Sequence, residues 1–532
     1  MRMRYHGETP RLRTVTPALE TFALKRTFSA VAFADEPAGR PFDYMFPQLA
    51  GDPAARLPDG PGTIAALRAL GEAMGSDEAG TDGVIPAAYT YFGQFIDHDI
   101  TKTALDPSIG QLGGLDIIEV PNFAPLSPEQ VATLITNVRS APLDLDSVYE
   151  GLAAEATRPD GSMRLSEVSK APFGTIPTAD REHDLPRRPR IEDPTTLDEQ
   201  MADREALIGD PRNDENLIVN QLHVAFLRAH NTLLARVGDV ALARRELRRR
   251  YQWAVLHDFL VRIGHPSTVR DILTNGPSVF KPADVSDLFM PLEFAGAAYR
   301  FGHSMVRQEY EYNSTFRSGE PFGAAQLTQL FTFTALSGDI APGPAQSGSD
   351  TLPDNWIIEW QRFFENLPGQ PSENPARAID ARLAFELGQL PDFVGVPIPT
   401  VLGKLASRNM LRGYLLGLPC GQAVANALGA APLTDTAILD AIPEGVRDQV
   451  AAAGLAERTP LWLYVLVEAG AHNGDHLGEV GTRIVGETLW NLVAMATDTV
   501  IGEPPTEEEK QSGEFTLRGI VKLGQDAGMQ PL

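Results

Sequence analysis

Two neighbouring segments of 22 residues each constrain the fold of this chain more than any other feature. The segments NLIVNQLHVAFLRAHNTLLARV (216–237) and LARRELRRRYQWAVLHDFLVRI (242–263) repeat apolar residues at intervals of three and four, which is typical of helices that bury one face. TIAALRALGEAM (63–74) and LWLYVLVEAGA (461–471) show the same period. Alternating runs, which would predict strands, are few and short. The sequence therefore predicts a mainly α protein with little β structure.

Long connections separate the predicted helices. They are rich in Pro and Gly and cover residues 105–145, 151–200, 314–354 and 366–378. Irregular loops of this length are unusual unless they wrap a site or a large core. Because no internal repeat and no interdomain linker is visible, we predict an N-terminal arm of residues 1–40 followed by one large domain, residues 41–532.

Charge and cysteine content exclude several classes of protein. The chain has 45 Lys and Arg against 70 Asp and Glu, a net charge of −25, whereas a nucleic-acid partner requires clustered basic residues. Cys420 is the only cysteine, so no intrachain disulfide can form. The arginines near the N-terminus lack the apolar run of a secretory signal, and the most apolar segments are too short to span a bilayer. We expect a cytoplasmic protein, or one exported without a cleaved signal.

The segment FGQFIDHDIT (92–101) places three ionisable groups in a largely apolar stretch. Buried charges are costly without partners, so a metal, a cofactor or a proton-transfer reaction is expected nearby. On a helix, Gln94 and His98 share a face, and Asp97 and Asp99 lie ~100° to either side of His98. Such a helix can direct the imidazole at a cofactor, one carboxylate at its rim and the other at a cation. A buried structural histidine with solvated neighbours is the alternative.

A second polar motif, IGDPRNDEN (208–216), stands at the start of the long segment 216–237. Arg212 and Glu215 are three residues apart and share a helical face. Asp210 or Asn213 can cap the helix. Taken alone, this motif is most simply a capped helix terminus that carries an intrahelical Arg–Glu pair.

Two further motifs centre on a histidine and an asparagine. AAYRFGHSMV (297–306) surrounds His303 with small and apolar residues and places Arg300 one turn before it. Such a histidine is often plain core, but a neutral imidazole in dry surroundings is also what an axial haem ligand requires. In RNMLRGYLLGLP (408–419), Asn409 can accept the proton on the far nitrogen of a ligating histidine, and Arg412 can bind a haem propionate.

The motif RSAPLDLDSVYEG (139–151) suits a hard cation. Asp144 and Asp146 alternate in an extended loop that also carries Ser140. Carboxylate and hydroxyl oxygens at this spacing are better ligands for calcium than for a transition metal.

Taken in order, FGQFIDHDIT, LDLDSVYEG, GDPRNDEN, YRFGH and RNMLRGYLLGLP resemble the motifs of the animal haem peroxidase family, also called the peroxidase–cyclooxygenase superfamily. The resemblance runs from FDYMFPQL near residue 42 to HLGEVGTRIVGETLW (476–490). It implies a large single-domain helical haem peroxidase fold in a compact, bacterial-type member. The implied activity is reduction of hydrogen peroxide through an oxidised haem, with oxidation of halide or small aromatic donors, in keeping with a response to oxidative stress.

The resemblance also implies a role for each matching residue. On the distal side of the haem it implies a catalytic histidine, glutamine and arginine, which are His98, Gln94 and Arg212. On the proximal side it implies the ligand of the haem iron, His303, its hydrogen-bond partner, Asn409, and two propionate contacts, Arg300 and Arg412. Two carboxylates that in several members form esters with haem b correspond to Asp97 and Glu215. The calcium loop corresponds to Asp99, Ser140, Asp144 and Asp146, with Pro142 contributing a backbone carbonyl.

These residue types suit the implied reaction. Reduction of peroxide requires first a base and then an acid, and an imidazole such as His98 can serve as both near neutral pH. A guanidinium such as Arg212 stays charged and can stabilise negative charge that develops as the O–O bond breaks. Asn216 stands where one branch of the family has a methionine bonded to haem, so that third bond is not expected.

Three alternatives remain. A fatty-acid dioxygenase of this superfamily carries a radical-forming tyrosine three residues before the proximal histidine. Here that position is Arg300, and Tyr299 lies about 100° away on a helix. A non-catalytic haem or calcium binder is the second alternative. The third is a separate metal site, because His472 and His476 have the spacing of a zinc pair. Gly474 interrupts that helix, however, and no Glu follows the first histidine.

Overall fold

The computed structural model describes residues 40–75, 80–105, 118, 122–192, 195–196, 199, 202–332, 334, 340, 350–365, 371–388, 401–525, 528–529 and 532. The predicted N-terminal arm, residues 1–40, lies outside these residues except for Arg40. Within the described ranges, no helix combines the length and the apolarity that crossing a bilayer would require.

Helices dominate the described part of the chain, and this confirms the predicted mainly α class. The α-helices are α1 (Pro61–Met74), α2 (Ala87–Ile100), α3 (Pro128–Leu134), α4 (Asp146–Tyr149), α5 (Leu217–Val237), α6 (Val240–Ala254), α7 (Leu260–Ile263), α8 (Pro266–Asn275), α9 (Leu292–Gly296), α10 (Leu327–Thr332), α11 (Leu405–Leu415), α12 (Gly421–Leu428), α13 (Asp435–Ala441), α14 (Arg447–Ala452), α15 (Leu461–Gly470), α16 (Glu479–Ala494), α17 (Glu507–Gln511) and α18 (Leu517–Leu523).

The strands are short and form small sheets. They are β1 (Arg40–Asp43), β2 (Asp82–Pro86), β3 (Thr103–Leu105), β4 (Ile135–Asn137), β5 (Ser166–Glu167), β6 (Glu182–Asp184), β7 (Met290–Pro291), β8 (Glu309–Tyr310), β9 (Ala325–Gln326) and β10 (Pro375–Arg377). One described sheet has four strands in the order β3-β4-β1-β7, and the others pair β10 with β2, β5 with β6 and β8 with β9. In the four-stranded sheet, β1 runs antiparallel to β4 and parallel to β7.

An aromatic cluster holds α2 against α5 and α6. Phe95 of α2 stacks on Phe226 of α5 with ring centroids 4.5 Å apart, and Tyr251 of α6 packs edge-on against both rings. These side chains are fully buried, and each such burial contributes about 1.5–3 kcal/mol to stability. Because this face of α2 packs on α5 and α6, Gln94, Asp97 and His98 line a cavity on another side of the helix, whereas Asp99 accepts from the Tyr251 hydroxyl at 3.2 Å.

The segment 242–263 is not the single α-helix that its periodicity predicts. It forms α6, then a π-helical turn at Val255–Phe259, then α7. The extra residue in the turn belongs to a buried junction, since the Asp258 carboxylate accepts hydrogen bonds from the Tyr89 hydroxyl at 2.8 Å and from the Leu517 amide at 2.9 Å. The correction follows from tertiary contacts that a helical period does not record.

Replacing Phe226 with alanine should lower the free energy of unfolding by about 3–5 kcal/mol, because it removes the ring at the centre of this cluster and leaves a cavity. Denaturant unfolding of the purified protein measures the loss. Leu242→Ala is the matched control, since Leu242 is exposed at the start of α6. Equal losses of unfolding free energy in the two variants would contradict the conclusion that this aromatic cluster holds α2 against α5 and α6.

Candidate active site

A cavity of about 320 Å³ brings together residues from distant parts of the chain. Its walls include residues of α2, of the turn of 3₁₀ helix at Pro211–Asp214, of a second 3₁₀ helix at Ala298–His303 and of α11. The sequence-predicted residues that line it are Gln94, Asp97, His98, Arg212, Glu215, Arg300 and His303. The two histidines that the sequence assigned to opposite sides of a haem therefore share one cavity.

The orientation of His98 is set by a chain of hydrogen bonds that the sequence did not reveal. Its Nδ1 lies 2.8 Å from Oδ1 of Asn213, and Nδ2 of Asn213 lies 2.9 Å from Nδ1 of His223. Burial lowers the pKa of His223 to about 3, so its ring is neutral. Oδ1 of Asn213 can only accept, so Nδ1 of His98 carries a proton and the ring directs Nε2 away from Asn213.

Gln94 and Glu215 meet beside His98. Gln94 donates to the Glu215 carboxylate, and Oε1 of Glu215 lies 3.5 Å from Nε2 of His98. Asn216 donates to Oε1 of Gln94 at 3.0 Å, while its own Oδ1 accepts from the Val219 amide at 2.9 Å. The N-cap of α5 is therefore Asn216, and not Asp210 or Asn213 as the motif suggested.

Arg212 is held by a buried carboxylate. Its Nε and Nη2 donate to the two oxygens of Asp210 at 3.0 and 2.7 Å, and Nη2 also donates to the carbonyl oxygens of His98 and Thr101 at 3.0 and 2.6 Å. Burial alone would raise the pKa of Asp210, but Arg212 and Arg139 hold it well below its usual range. Arg212 is therefore a charged group fixed in the cavity wall. Its partner is Asp210, in place of the intrahelical Glu215 that the motif suggested.

His303 lies in the part of the cavity wall formed by the second 3₁₀ helix and contacts Asn409. Its Nδ1 is 2.8 Å from Nδ2 of Asn409, and Oδ1 of Asn409 accepts from Nη1 of Arg300 at 3.2 Å. This reverses the sense of the expected hydrogen bond, because Arg300 occupies the amide oxygen that was expected to accept the Nδ1 proton. Burial lowers the pKa of His303 well below its usual value, and the charges of Arg300 and Arg408 act in the same direction. The ring is therefore neutral, as an iron ligand must be.

Trp462 of α15 supports this wall and was not among the predicted residues. Its Nε1 donates to the carbonyl oxygen of Arg300 at 3.0 Å, and its ring packs edge-on to His303 with centroids 6.3 Å apart. Trp462 lies in an apolar helix, where nothing in the sequence distinguishes it from core.

Basic groups gather on the same side of the cavity. Burial, together with the nearby charges of Arg300 and Arg408, lowers the pKa of Arg412 to about 9. Arg408, which the sequence did not single out, lines the cavity, whereas Arg412 is not among the described lining residues. Mutually repelling guanidinium groups at a cavity wall suit an anionic ligand, and the two propionates of a haem are such a group. The residues present therefore fit a haem.

Tyr299 also lines the cavity, which corrects the argument from helical offset. The segment Ala298–His303 is a 3₁₀ helix, and five consecutive residues, 299–303, all contribute to the cavity wall. The Tyr299 hydroxyl is buried and has no hydrogen-bond partner among the described residues. Its neighbour Phe294 stacks on the ring at 4.5 Å.

The predicted calcium residues lie near the end of α2, the helix that carries His98, and in the segment that leads into α4. Asp99 accepts from the Ser147 amide at 2.8 Å, and the Ser140 hydroxyl contacts the Asp146 carboxylate. Burial raises the pKa of Asp99 to about 6 and that of Asp146 to about 7, with the charge of Asp99 adding to the second shift. A bound cation would offset both effects.

Asp144 is oriented differently from the other predicted calcium ligands. Its carboxylate accepts from the amide and hydroxyl of Thr497 at 2.9 and 3.1 Å. The Pro142 carbonyl oxygen accepts from the Asp144 amide at 3.1 Å. Across the described residues, no three His, Cys, Asp or Glu side chains are gathered around one point as a metal ion would gather them. The calcium assignment therefore stays a prediction.

Gly209 joins this loop to the Arg212 segment. A Cβ at Gly209 would lie 2.5–2.7 Å from the carbonyl oxygens of Asp146, Ser147 and Glu150. Only glycine permits this approach, so the predicted calcium loop and the turn that carries Arg212 are packed backbone to backbone.

A helical fold with two histidines and a fixed arginine around one cavity is compatible with a haem-binding oxidoreductase, and comparison with known proteins identifies the family. The profile of the animal haem peroxidase family matches residues 125–453, more than half of the chain. The chain belongs to the animal haem peroxidase family, whose membership implies haem binding and oxidoreductase chemistry of the peroxidase–cyclooxygenase type. Arg212, His303 and Asn409 fall inside the matched residues, whereas His98 precedes them.

Individual relatives are distant. A peroxidase-like protein of Margaritifera margaritifera is 26% identical over 271 residues, which cover 42% of this chain and 32% of that protein. Peroxidase A of Dictyostelium discoideum has 15% identity and a TM-score of 0.57 over 93% of this chain and 95% of its own. A fatty acid alpha-dioxygenase of Oryza sativa has 13% identity and a TM-score of 0.53 over 92% of this chain and 80% of its own. At these identities the two structures support the fold alone.

Proposed function

We propose that this protein is a haem-dependent peroxidase that reduces hydrogen peroxide and oxidises a halide or a small aromatic donor. The observation that carries the proposal is the shared cavity of His98, Arg212 and His303. The first and last of these residues, His98 and His303, are 205 positions apart in the sequence.

The walls of the cavity suit haem b or an ester-linked derivative. When bound, the haem supplies the redox-active iron that exchanges electrons with peroxide and donor. His303 would hold the iron through Nε2, and Arg300, Arg408 and Arg412 would bind the propionates. Asp97 and Glu215, which both line the cavity, are the candidates for ester formation.

Ligation would also change the hydrogen bond of His303. Iron ligation through Nε2 requires the proton on Nδ1, and Oδ1 of Asn409 is its natural acceptor. A propionate that accepts from Arg300 would release that oxygen, so the Asn409 amide can turn toward His303. Propionate binding and histidine orientation are thereby coupled through one side chain.

His98 would move the proton of peroxide. Its Nε2 accepts the proton from one peroxide oxygen and returns it to the departing one. Asn213 would accept the proton of Nδ1 and so leave the lone pair of the neutral ring on Nε2, and Gln94 provides a polar group one helical turn away for ordering peroxide or halide. Arg212, fixed by Asp210, stabilises the negative charge on the departing oxygen without having to reorient.

The two histidines should fail in different ways when they are replaced. His303→Ala should lose haem or its iron ligation. His98→Ala should retain haem and react with peroxide about 10²–10⁴-fold more slowly, because the proton carrier is gone. Stopped-flow absorbance of the haem with hydrogen peroxide measures both, with His257→Gln as the control because this exposed histidine lies outside the cavity lining. Unchanged kinetics in His98→Ala would remove that residue from the mechanism.

Asn213→Leu tests the positioning of His98. The variant keeps His98 but removes the acceptor for its Nδ1 proton, so the peroxide reaction should slow by a smaller factor than in His98→Ala. Its pH profile should also shift, because both tautomers of the ring become accessible. The rate constant for peroxide measured across pH decides the matter, and a profile identical to that of the unmodified protein would contradict the role of Asn213.

Calcium is proposed to bind Asp99, Ser140, Asp146, the Pro142 carbonyl and Asp144. At a concentration 100 times its Kd, calcium should raise the unfolding free energy by about 2.7 kcal/mol, measured as a higher Tm relative to chelator-treated protein. Asp146→Asn should abolish this response. Asp144→Asn should reduce it less, because the Asp144 carboxylate is bonded to Thr497. A Tm that does not respond to calcium would contradict the site.

A haemochrome spectrum before and after acid–acetone extraction tests the proposed cofactor. Haem that remains with the protein after extraction is ester-linked, extracted haem is haem b, and a missing haem signal in protein expressed with haem available would refute the peroxidase proposal.

A fatty-acid dioxygenase is the second candidate, favoured by the buried hydroxyl of Tyr299 in the cavity wall. Oxygen uptake with an unsaturated fatty acid, abolished by Tyr299→Phe, would support it. Absence of uptake in protein that reacts rapidly with peroxide would exclude it.

A further inference from the structure

Three histidines that the proposed peroxidase site does not use lie together at the turn between α15 and α16. The rings of His472 and His476 have centroids 4.9 Å apart, and each lies 5.5 Å from the ring of His265. His265 belongs to the junction between α7 and α8, more than two hundred residues earlier in the chain. All three side chains are partly exposed.

The fold brings these histidines together in a way that their spacing in the sequence does not show. His472 and His476 do not lie on a helix, because α15 ends at Gly470. Asn473 and Gly474 adopt left-handed conformations with φ of 59° and 71°. The resulting turn, and not a helical spacing, brings the two rings together. His265 is then added from a separate segment.

The backbone beneath the rings is held by hydrogen bonds between the two segments. The Leu477 amide donates to the Ile263 carbonyl at 2.8 Å, and the His265 amide donates to the Thr482 hydroxyl at 2.7 Å. These hydrogen bonds fix the backbone that carries the three histidines. The relative positions of the rings can then change mainly through side-chain rotations.

The spacing of the rings matches a shared ion. Three imidazoles that each place a nitrogen ~2.1 Å from one tetrahedral Zn²⁺ have ring centroids about 5 Å apart. The donor nitrogens do not yet converge, since no three metal-binding side chains of the described residues surround one point. Convergence requires rotation of the rings about their side-chain torsions.

Local hydrogen bonds favour a free Nε2. Nδ1 of His476 lies 2.7 Å from the Leu477 carbonyl oxygen and must donate to it, so Nε2 carries the lone pair. Nδ1 of His265 lies within 3.2 Å of the hydroxyls of Ser267 and Thr268, either of which can accept its proton. A second nitrogen engaged in this way is typical of metal-binding histidines.

We propose that His265, His472 and His476 bind one divalent transition-metal ion of the zinc type through three imidazole nitrogens. Imidazole ligands suit zinc, copper and nickel better than calcium or magnesium. Asn473 follows the first histidine of the pair, so the site lacks the His-Glu-x-x-His motif of zinc metalloproteases. The ion would connect the α7–α8 junction to the end of α15, the helix that carries Trp462 to the wall behind His303.

Titration of the haem-loaded protein with Zn²⁺, in calcium-containing buffer so that the proposed calcium loop is occupied, tests the site. Isothermal titration calorimetry should show one ion per chain at this site. His265→Gln, His472→Gln and His476→Gln should each weaken binding by more than about tenfold, since even loss of an outer-sphere partner costs about 10–100-fold. His257→Gln is the matched control, an exposed histidine without a second histidine ring in contact among the described residues, and it should bind as the unmodified protein does.

A second measurement identifies the ligands directly. X-ray absorption at the zinc edge is separate from that of the haem iron and should show histidine nitrogens in the first sphere. Zn²⁺ should raise the Tm of the unmodified protein and of His257→Gln, but not that of His265→Gln. Failure of Zn²⁺ to bind, or equal affinity in His265→Gln and the unmodified protein, would overturn the proposal. Either result leaves the peroxidase proposal untouched, because haem absorbance and peroxide kinetics are measured separately.

Discussion

The buried carboxylate of Asp210 is the contact on which the distal side of the cavity depends. It is fully buried and accepts hydrogen bonds from Arg212 and Arg139. Arg212 in turn donates to the carbonyl oxygens of His98 and Thr101, at the end of α2. Loss of one partner from such a buried pair costs about 3–5 kcal/mol. The same interaction that stabilises the fold therefore keeps the guanidinium charged, oriented and close to His98.

The cavity wall that carries His98 and Arg212 is held to the predicted calcium loop by contacts that also involve Asp210. Arg139, which binds Asp210, directly precedes Ser140 in the loop. Gly209 lies against the backbone of the loop from the other side, and Asp99 of α2 accepts from the Ser147 amide. Displacement of the loop would therefore reach both His98 and Arg212. A cation that offsets the raised pKa values of the buried aspartates would act on the active site through position, without touching a substrate.

The sequence predicted the helical fold well, because apolar periodicity reports directly on buried helix faces. The segment 216–237 corresponds to α5 within one residue. Patterns of single elements could not show contacts between them. The π-helical turn within 242–263 serves a buried junction. Asn213 and Asn216 are the same residue type and equally suited to cap a helix, yet Asn216 caps α5 whereas Asn213 orients His98. Arg408 reaches the cavity because of the rotation of α11 against its neighbours, which no local pattern encodes.

The charge distribution separates the two classes of proposed donor. The chain carries a net charge of −25, so its overall field repels a halide ion. Salt screens that repulsion beyond ~8 Å. The cavity lining carries both Arg212 and Arg300 and the carboxylates of Asp97 and Glu215, so the field that an anion meets there depends on its position. A neutral phenol responds to neither effect and depends on apolar contacts such as Phe259 and Phe301. Any preference between the donors must therefore arise within the cavity. There, guanidinium groups attract an anion while Asp97 and Glu215 repel it, so the position of the donor relative to these four side chains decides the preference.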